Sequence, residues 1–130
     1  LTQSGIDLGI AFQLRDDILG AGIDADHSGK SANDLVEGKR TLLVVKAWQA
    51  ADAEGQALIA RVLGNPGAPL EEIDAVRDLI RSTGSLAYSE RKIRQLTERA
   101  LKRIERSRTI RPAGRPLLKQ IADRLVNRSI

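Results

Sequence analysis

Residues 9–41 read GIAFQLRDDILGAGIDADHSGKSANDLVEGKRT, and this stretch decides the fold. Around its start, apolar residues recur every four positions. They are Ile6, Ile10, Leu14 and Ile18, with Leu8, Phe12 and Leu19 widening the stripe. The spacing predicts a largely buried helix, and Gly20 and Gly22 are expected to end it. The polar segment that follows, up to Asn33, predicts an ordered loop of the kind that often carries function.

The rest of the chain predicts more helices and almost no strand. Asn33 is expected to cap a helix that runs to about Ala51, and shorter helices are expected over about 54–63 and 69–82. After Gly84 a longer helix should cover about 85–107, and a break at 112–116 precedes a last helix. The predicted fold class is therefore all-α, a helical bundle.

The composition bounds the protein class. There is no cysteine, which rules out disulfides and thiolate metal sites and fits a cytoplasmic location. Apolar runs are short, Leu42 to Val45 reaching only four residues, so no transmembrane segment is predicted. The chain lacks methionine and begins at Leu1, so we expect it to lie inside a longer protein.

Two groups of charged residues point to chemistry. Asp16 and Asp17 lie near the C-terminal end of the first helix, where the negative macrodipole disfavours them unless a positive charge compensates. Mg²⁺ would do so, because it takes one or two carboxylates together with waters and phosphate oxygens. Lys30 and Lys39 flank Asp34, which suggests a polyanion site. A solvated polar face and ordinary surface lysines are the alternatives.

The pattern GxxFQxxDDIL at 9–19, GK at 29–30, Asp34, and GKRT at 38–41 resembles the second aspartate-rich region of trans-polyprenyl diphosphate synthases. The resemblance covers the whole chain, although only residues 9–41 are diagnostic. It implies the isoprenoid-synthase helical bundle, of which residues 1–130 would be the C-terminal half. The N-terminal half, with the first aspartate-rich motif, would then be absent from these residues.

The resemblance also implies roles for individual residues. Asp16 would be the principal Mg²⁺ ligand, and Asp17 would support it through water or a contact with the ligand shell. Lys30 would contact the allylic diphosphate, and Lys39 matches the second lysine of the family.

Three further residues have implied roles. Gln13, one turn before Asp16, would line the cavity near the reacting carbons. Asp34 would orient the metal waters or Lys30. Asp24 matches an acidic loop position. In many relatives a third motif acid follows Asp16 by four residues, and here Gly20 stands in its place.

The implied activity is prenyl transfer by the intact protein. Mg²⁺ and lysine would stabilise the diphosphate that leaves an allylic substrate, isopentenyl diphosphate would attack the resulting cation, and water must be excluded. The family implies a homodimer of the intact chain. With only part of the site present, the 130 residues alone are expected to be inactive.

Other interpretations stay open. The chain could belong to a non-catalytic partner subunit of a heteromeric synthase, which Gly20 in the motif would suit. The basic stretch 91–111 could bind nucleic acid, but interleaved acids and the lack of aromatic residues favour a solvated, ion-paired helix, so no nucleic acid partner is predicted. His27 could bind metal, although an exposed loop residue is the simpler interpretation.

Overall fold

The computed structural model describes residues 3–23, 33–106 and 115–127. Within these ranges the chain forms seven helices and no strand, which confirms the all-α prediction. The helices are α1 (Gln3–Gly20), α2 (Asn33–Val36), α3 (Leu42–Ala50), α4 (Ala53–Val62), α5 (Leu70–Ser82), α6 (Ser85–Arg106) and α7 (Arg115–Asn127). In this part of the chain no helix is long and apolar enough to cross a bilayer.

The chain divides into two units, each with its own apolar core. The first unit comprises residues 1–15 and 90–130, and the second comprises residues 16–89. In the second unit α3, α4 and α5 pack on one another. The largest buried side chains of this core are Ile18, Leu35, Leu43, Ile59, Val62, Val76 and Ile80. In the first unit the core contains Ala11, Leu14, Ile93, Leu96, Ala100, Ile104, Ala122 and Leu125.

The prediction of a largely buried α1 is wrong for part of its apolar stripe. Leu14 and Ile18 are buried, but four large apolar side chains of the helix are 43–52% exposed, namely Ile6, Ile10, Phe12 and Leu19. A spacing of four residues overshoots a helical turn by about 40°, so three such steps rotate the stripe by about 120°. The helix therefore has an exposed apolar flank as well as a buried face.

The single helix expected over 33–51 is two helices in the structure. Asn33 is the first residue of the short α2, and Gly38 ends the turn after it with a φ of 83°. The amide of Gly38 donates to Leu35 O and that of Lys39 donates to Asp34 O, which is the Schellman arrangement. Thr41 then caps α3, its hydroxyl accepting from the Val44 amide.

The later helices follow the predicted boundaries within a few residues. In α3 the buried residues are Leu43, Val44 and Ala47, whereas Val45 and Trp48 are exposed. Leu70, the first residue of α5, is also exposed.

In the first unit, a buried carboxylate joins α1 to α6. Asp7 is fully buried and accepts from both the Nε and an Nη of Arg99 at 3.0 and 3.1 Å. Gln3 donates to the same carboxylate at 2.9 Å. These hydrogen bonds, chiefly those of Arg99, lower the pKa of Asp7 below its ordinary value, so the group stays charged although it is buried.

Arg15 joins α1 to the end of α7. The side chain is buried, and its guanidinium donates to Leu125 O at 3.2 and 2.9 Å and to Val126 O at 3.5 Å. Carbonyls in the last turn of a helix have no partner within it and carry partial negative charge. Arg15 therefore satisfies the C-terminal end of α7 with hydrogen bonds and a positive charge.

Candidate active site

The acidic pair lies in the last turn and a half of α1. Asp16 is exposed and Asp17 is half-buried, and α1 ends at Gly20. Gln13, which is also exposed, lies on the same helix one turn before Asp16. Because residues three and four apart share a helix face, Gln13, Asp16 and Gly20 follow one another along one side of α1. The helix thus presents the Gln13 amide and the Asp16 carboxylate on one side.

Two arginines of α5 supply positive charge at this helix end. Arg77 Nε donates to Ala21 O at 3.1 Å, and an Nη of Arg81 donates to Ile23 O at 2.8 Å. Ala21 directly follows the last residue of α1 and Ile23 lies three residues beyond it, next to the negative end of the helix macrodipole. The compensating charge that the sequence led us to expect from a metal ion is therefore supplied in part by the protein.

The sequence pattern did not single out these arginines. Each forms an ion pair with an acid three residues earlier on α5, Arg77 with Asp74 at 2.8 Å and Arg81 with Asp78 at 3.0 Å. This spacing is visible in the sequence, but it is typical of any solvated helix. Only the packing of α5 shows that the two guanidinium groups reach the end of α1.

Asp34 and Lys39 form an ion pair, with 3.2 Å between Lys39 Nζ and Asp34 Oδ1. The Asp34 side chain is 13% exposed, whereas that of Lys39 is 59% exposed. The hydrogen bond and charge of Asp34 raise the pKa of Lys39, and the carboxylates of Glu37 and Asp16 contribute in the same direction. Lys39 thus stays protonated at neutral pH within the field of Asp16.

Asp34 lies directly against Gly20. A Cβ built on Gly20 would have all three atoms of the Asp34 carboxyl group within 3.0 Å, closer than real Cβ contacts come. The structure therefore brings Asp34 and Lys39 to the acidic end of α1. Lys30, Asp24 and His27 lie outside the described residues.

The donor set of this region fits Mg²⁺. Asp16 and Asp17 offer hard carboxylate oxygens, and Mg²⁺ takes one or two such groups while keeping waters or phosphate oxygens. Across residues 3–23, 33–106 and 115–127 no three acidic or histidine side chains are grouped closely enough to hold a metal ion by themselves. A metal held here would therefore complete its coordination with waters, with oxygens from a phosphorylated substrate or with groups from another part of the protein.

A family model described as polyprenyl synthetase matches residues 1–80 of the chain. The geranylfarnesyl diphosphate synthase of Aeropyrum pernix is 37% identical over 127 residues, which cover 97% of this chain and 39% of that protein. The geranylgeranyl diphosphate synthase of Saccharolobus solfataricus is 31% identical over 129 residues, again 39% of its length. The chain thus spans about two-fifths of these curated relatives.

Solved structures of synthases also match this chain, again over about two-fifths of their length. The structure of geranylgeranyl pyrophosphate synthase from Corynebacterium glutamicum, complexed with isoprenyl diphosphate and magnesium, matches with a TM-score of 0.83 and 38% identity. The match covers 98% of this chain and 36% of that one. A polyprenyl synthase from Roseobacter denitrificans matches with a TM-score of 0.78 and 26% identity, over 98% of this chain and 40% of that one.

Proposed function

Because the chain belongs to the polyprenyl synthetase family, we propose that the intact protein is a prenyltransferase that condenses isopentenyl diphosphate with an allylic diphosphate. One observation carries this proposal beyond the family assignment. The acidic pair Asp16–Asp17 lies at the same helix end as the ion pair of Asp34 and Lys39. Carboxylates for a metal and an ammonium for an anion are the two groups that diphosphate binding requires.

Asp16 and Asp17 are the proposed Mg²⁺-binding residues, with Asp16, the more exposed carboxylate, as the principal ligand. Mg²⁺ would supply electrostatic stabilisation of the negative charge that develops on a departing diphosphate. Arg77 and Arg81 support this role indirectly. By binding the carbonyls beyond α1, they offset the helix dipole that would otherwise oppose two negative charges there.

Lys39 is the proposed diphosphate-binding cation among the described residues, and Lys30 is proposed to contact the allylic diphosphate. Gln13 is proposed to line the cavity near the reacting carbons. Asp34 pairs with Lys39 and is also proposed to orient the metal waters or Lys30. Asp24 is proposed to support the metal site from its acidic loop position. The exposed apolar side chains of α1, such as Phe12, are suited to a binding site that excludes water.

The intact protein is proposed to extend beyond the present residues. Residues 1–130 would be the C-terminal part of a synthase domain whose N-terminal half carries the first aspartate-rich motif. Homodimerisation of the intact chain and a cytoplasmic location belong to the same proposal. Its support is that the chain spans about two-fifths of the length of its curated relatives.

The test is prenyl transfer by the intact protein and by its Asp16→Asn variant, with Mg²⁺, an allylic diphosphate and isopentenyl diphosphate. Removing a metal-ligating charge should cost several kcal/mol of transition-state stabilisation and lower the rate by about two orders of magnitude or more. Asp123→Asn, on the exposed side of α7, is the matched control and should keep the wild-type rate.

Two outcomes would contradict the proposal. An inactive intact protein would favour a non-catalytic partner subunit. An active protein whose rate does not depend on Asp16 would refute Asp16 as the principal metal ligand. The 130-residue chain, assayed separately, should show no turnover, and turnover by this chain would contradict the proposed need for a second half.

A further inference from the structure

We propose that the absence of a side chain at Gly20 leaves room for the Asp34 carboxylate against α1, a contact called the Gly20 seat below. Through Asp34 this seat holds Lys39 at the acidic end of α1, where Lys39 is positioned to bind a diphosphate. The role given to Lys39 rests on the function proposed above. The seat itself is a contact within the second unit and can be tested without any substrate.

The first step is the reason for a glycine at position 20. Glycines with positive φ are required by the backbone, and among the described residues these are Gly22, Gly38, Gly64 and Gly84. Gly20 lacks a positive φ and lies in the last turn of α1, where glycine is a poor helix former. A Cβ at position 20 would overlap the Asp34 carboxyl group, so a side chain there would require Asp34 to move.

The second step is how firmly Asp34 holds Lys39. The two side chains form an ion pair at 3.2 Å, and the Lys39 amide donates to Asp34 O at 3.0 Å. The turn between them is fixed by Gly38, whose positive φ allows the Schellman arrangement. Lys39 is therefore attached to Asp34 through both the backbone and the side chain, so the place of Asp34 determines that of the ammonium.

The third step connects the seat to Asp16. Gly20 follows Asp16 by four residues on the same helix face, and Asp34 lies against Gly20. The seat thus brings the Asp34–Lys39 pair to the turn that follows the proposed metal ligand. Lys39 remains 59% exposed, so its ammonium can bind an anion while Asp34 holds it.

The fourth step concerns the third motif acid. A side chain at position 20 and Asp34 in its present place exclude each other sterically. An acid at position 20 would therefore require the Asp34 side chain to move, whereas Gly20 leaves it in place.

The experiment is a double-mutant cycle of Gly20→Ala and Asp34→Ala in the intact protein, read by thermal unfolding. Gly20→Ala should lower Tm, because the methyl group displaces Asp34. In the Asp34→Ala background the same change should raise Tm or leave it unchanged, because alanine is the better helix former. Gly9→Ala is the matched control, since nothing lies within 4 Å of a Cβ at Gly9, and it should not lower Tm.

The functional part is read by the affinity for inorganic pyrophosphate with Mg²⁺, measured calorimetrically. Gly20→Ala and Lys39→Gln should each weaken binding by about 10-fold or more, the usual effect of losing a charge-assisted hydrogen bond, and Lys39→Arg should restore part of it.

The outcomes separate the two proposals. If Gly20→Ala raises Tm in both backgrounds, the seat does not exist. If the cycle holds and wild-type protein binds pyrophosphate, but Gly20→Ala and Lys39→Gln do not weaken binding, the positioning role of the seat is refuted. If the cycle holds and wild-type protein binds no pyrophosphate, the proposed function fails and the role of Lys39 fails with it.

Discussion

Arg77→Met tests whether α5 holds the end of the acidic helix. The Arg77 side chain is only 12% exposed, and its Nε donates to Ala21 O at 3.1 Å. An Nη of the same guanidinium lies next to Gly22, whose positive φ forms the turn after α1. Methionine keeps most of the apolar stem and removes the charge and the donors. The substitution therefore leaves Ala21 O without its arginine donor.

The expected cost follows from that contact. A hydrogen bond from a charged donor contributes about 1.5–3 kcal/mol, and more when the carbonyl it leaves is buried. Since about 1.4 kcal/mol is a factor of ten in an equilibrium, local opening of the turn should become roughly 10- to 100-fold more frequent. The amides that report this opening are those of Ala21 and Gly22, which bond to Asp17 O and Leu19 O.

Hydrogen–deuterium exchange with mass spectrometry measures that opening in peptides covering residues 17–23. The matched control is Arg61→Met, because Arg61 is 56% exposed and pairs with Glu72 at 3.0 Å on the surface. A surface ion pair contributes only about 0–1 kcal/mol, so this variant should exchange like wild type over 17–23. Unchanged exchange over 17–23 in Arg77→Met, or an equal change in Arg61→Met, would refute the idea that Arg77 stabilises the end of α1.

Three further predictions concern stability. Asp7 has a lowered pKa in the folded state, so its contribution to stability is present above the ordinary value of 3.8 and is lost as pH falls through the folded-state pKa. In urea unfolding, Asp7→Asn should be less stable than wild type at pH 7, and its free energy of unfolding should depend less on pH in the acid range. An unchanged pH profile would contradict this. Arg15→Met should lower the free energy of unfolding by about 3 kcal/mol and speed amide exchange in α7, because it removes the hydrogen bonds to Leu125 O. Unaltered exchange in α7 would show that Arg15 does not stabilise the end of that helix. Ile80 is fully buried, so Ile80→Ala should lower the free energy of unfolding in urea by about 2–5 kcal/mol. Leu70 is 66% exposed, so Leu70→Ala should lower it far less, and equal losses would place Ile80 outside the core.

The sequence by itself determined the helical class and the candidate residues of the site. Helical periodicity, glycine breaks and capping residues are local properties, so α4, α5 and α6 lie close to where the pattern placed them. The candidate residues could be selected because binding of a metal ion and a diphosphate would need particular side chains at particular spacings. Residue type and spacing were therefore sufficient to single out the carboxylates at the end of α1, together with Asp34 and Lys39.

Local pattern did not determine which faces are buried. The stripe along α1 rotates with each step of four residues, so Ile6 and Ile10 are exposed although Leu14 and Ile18 are buried. The division of residues 33–51 into α2 and α3 depended on the turn at Gly38, whose amide hydrogen bond and positive φ form a Schellman arrangement. The helical pattern of apolar residues did not predict this turn.

Only the tertiary structure decided what surrounds the acidic pair. Arg77 and Arg81 reach the carbonyls beyond α1 from 56 and 58 residues away, and no spacing rule connects positions so distant. The same holds for Gly20 and Asp34, whose contact gives a reason for the glycine in the motif. The type of each side chain can be read from the sequence. Steric contacts and charge compensation between distant residues depend on how the helices pack, so only the tertiary structure shows them.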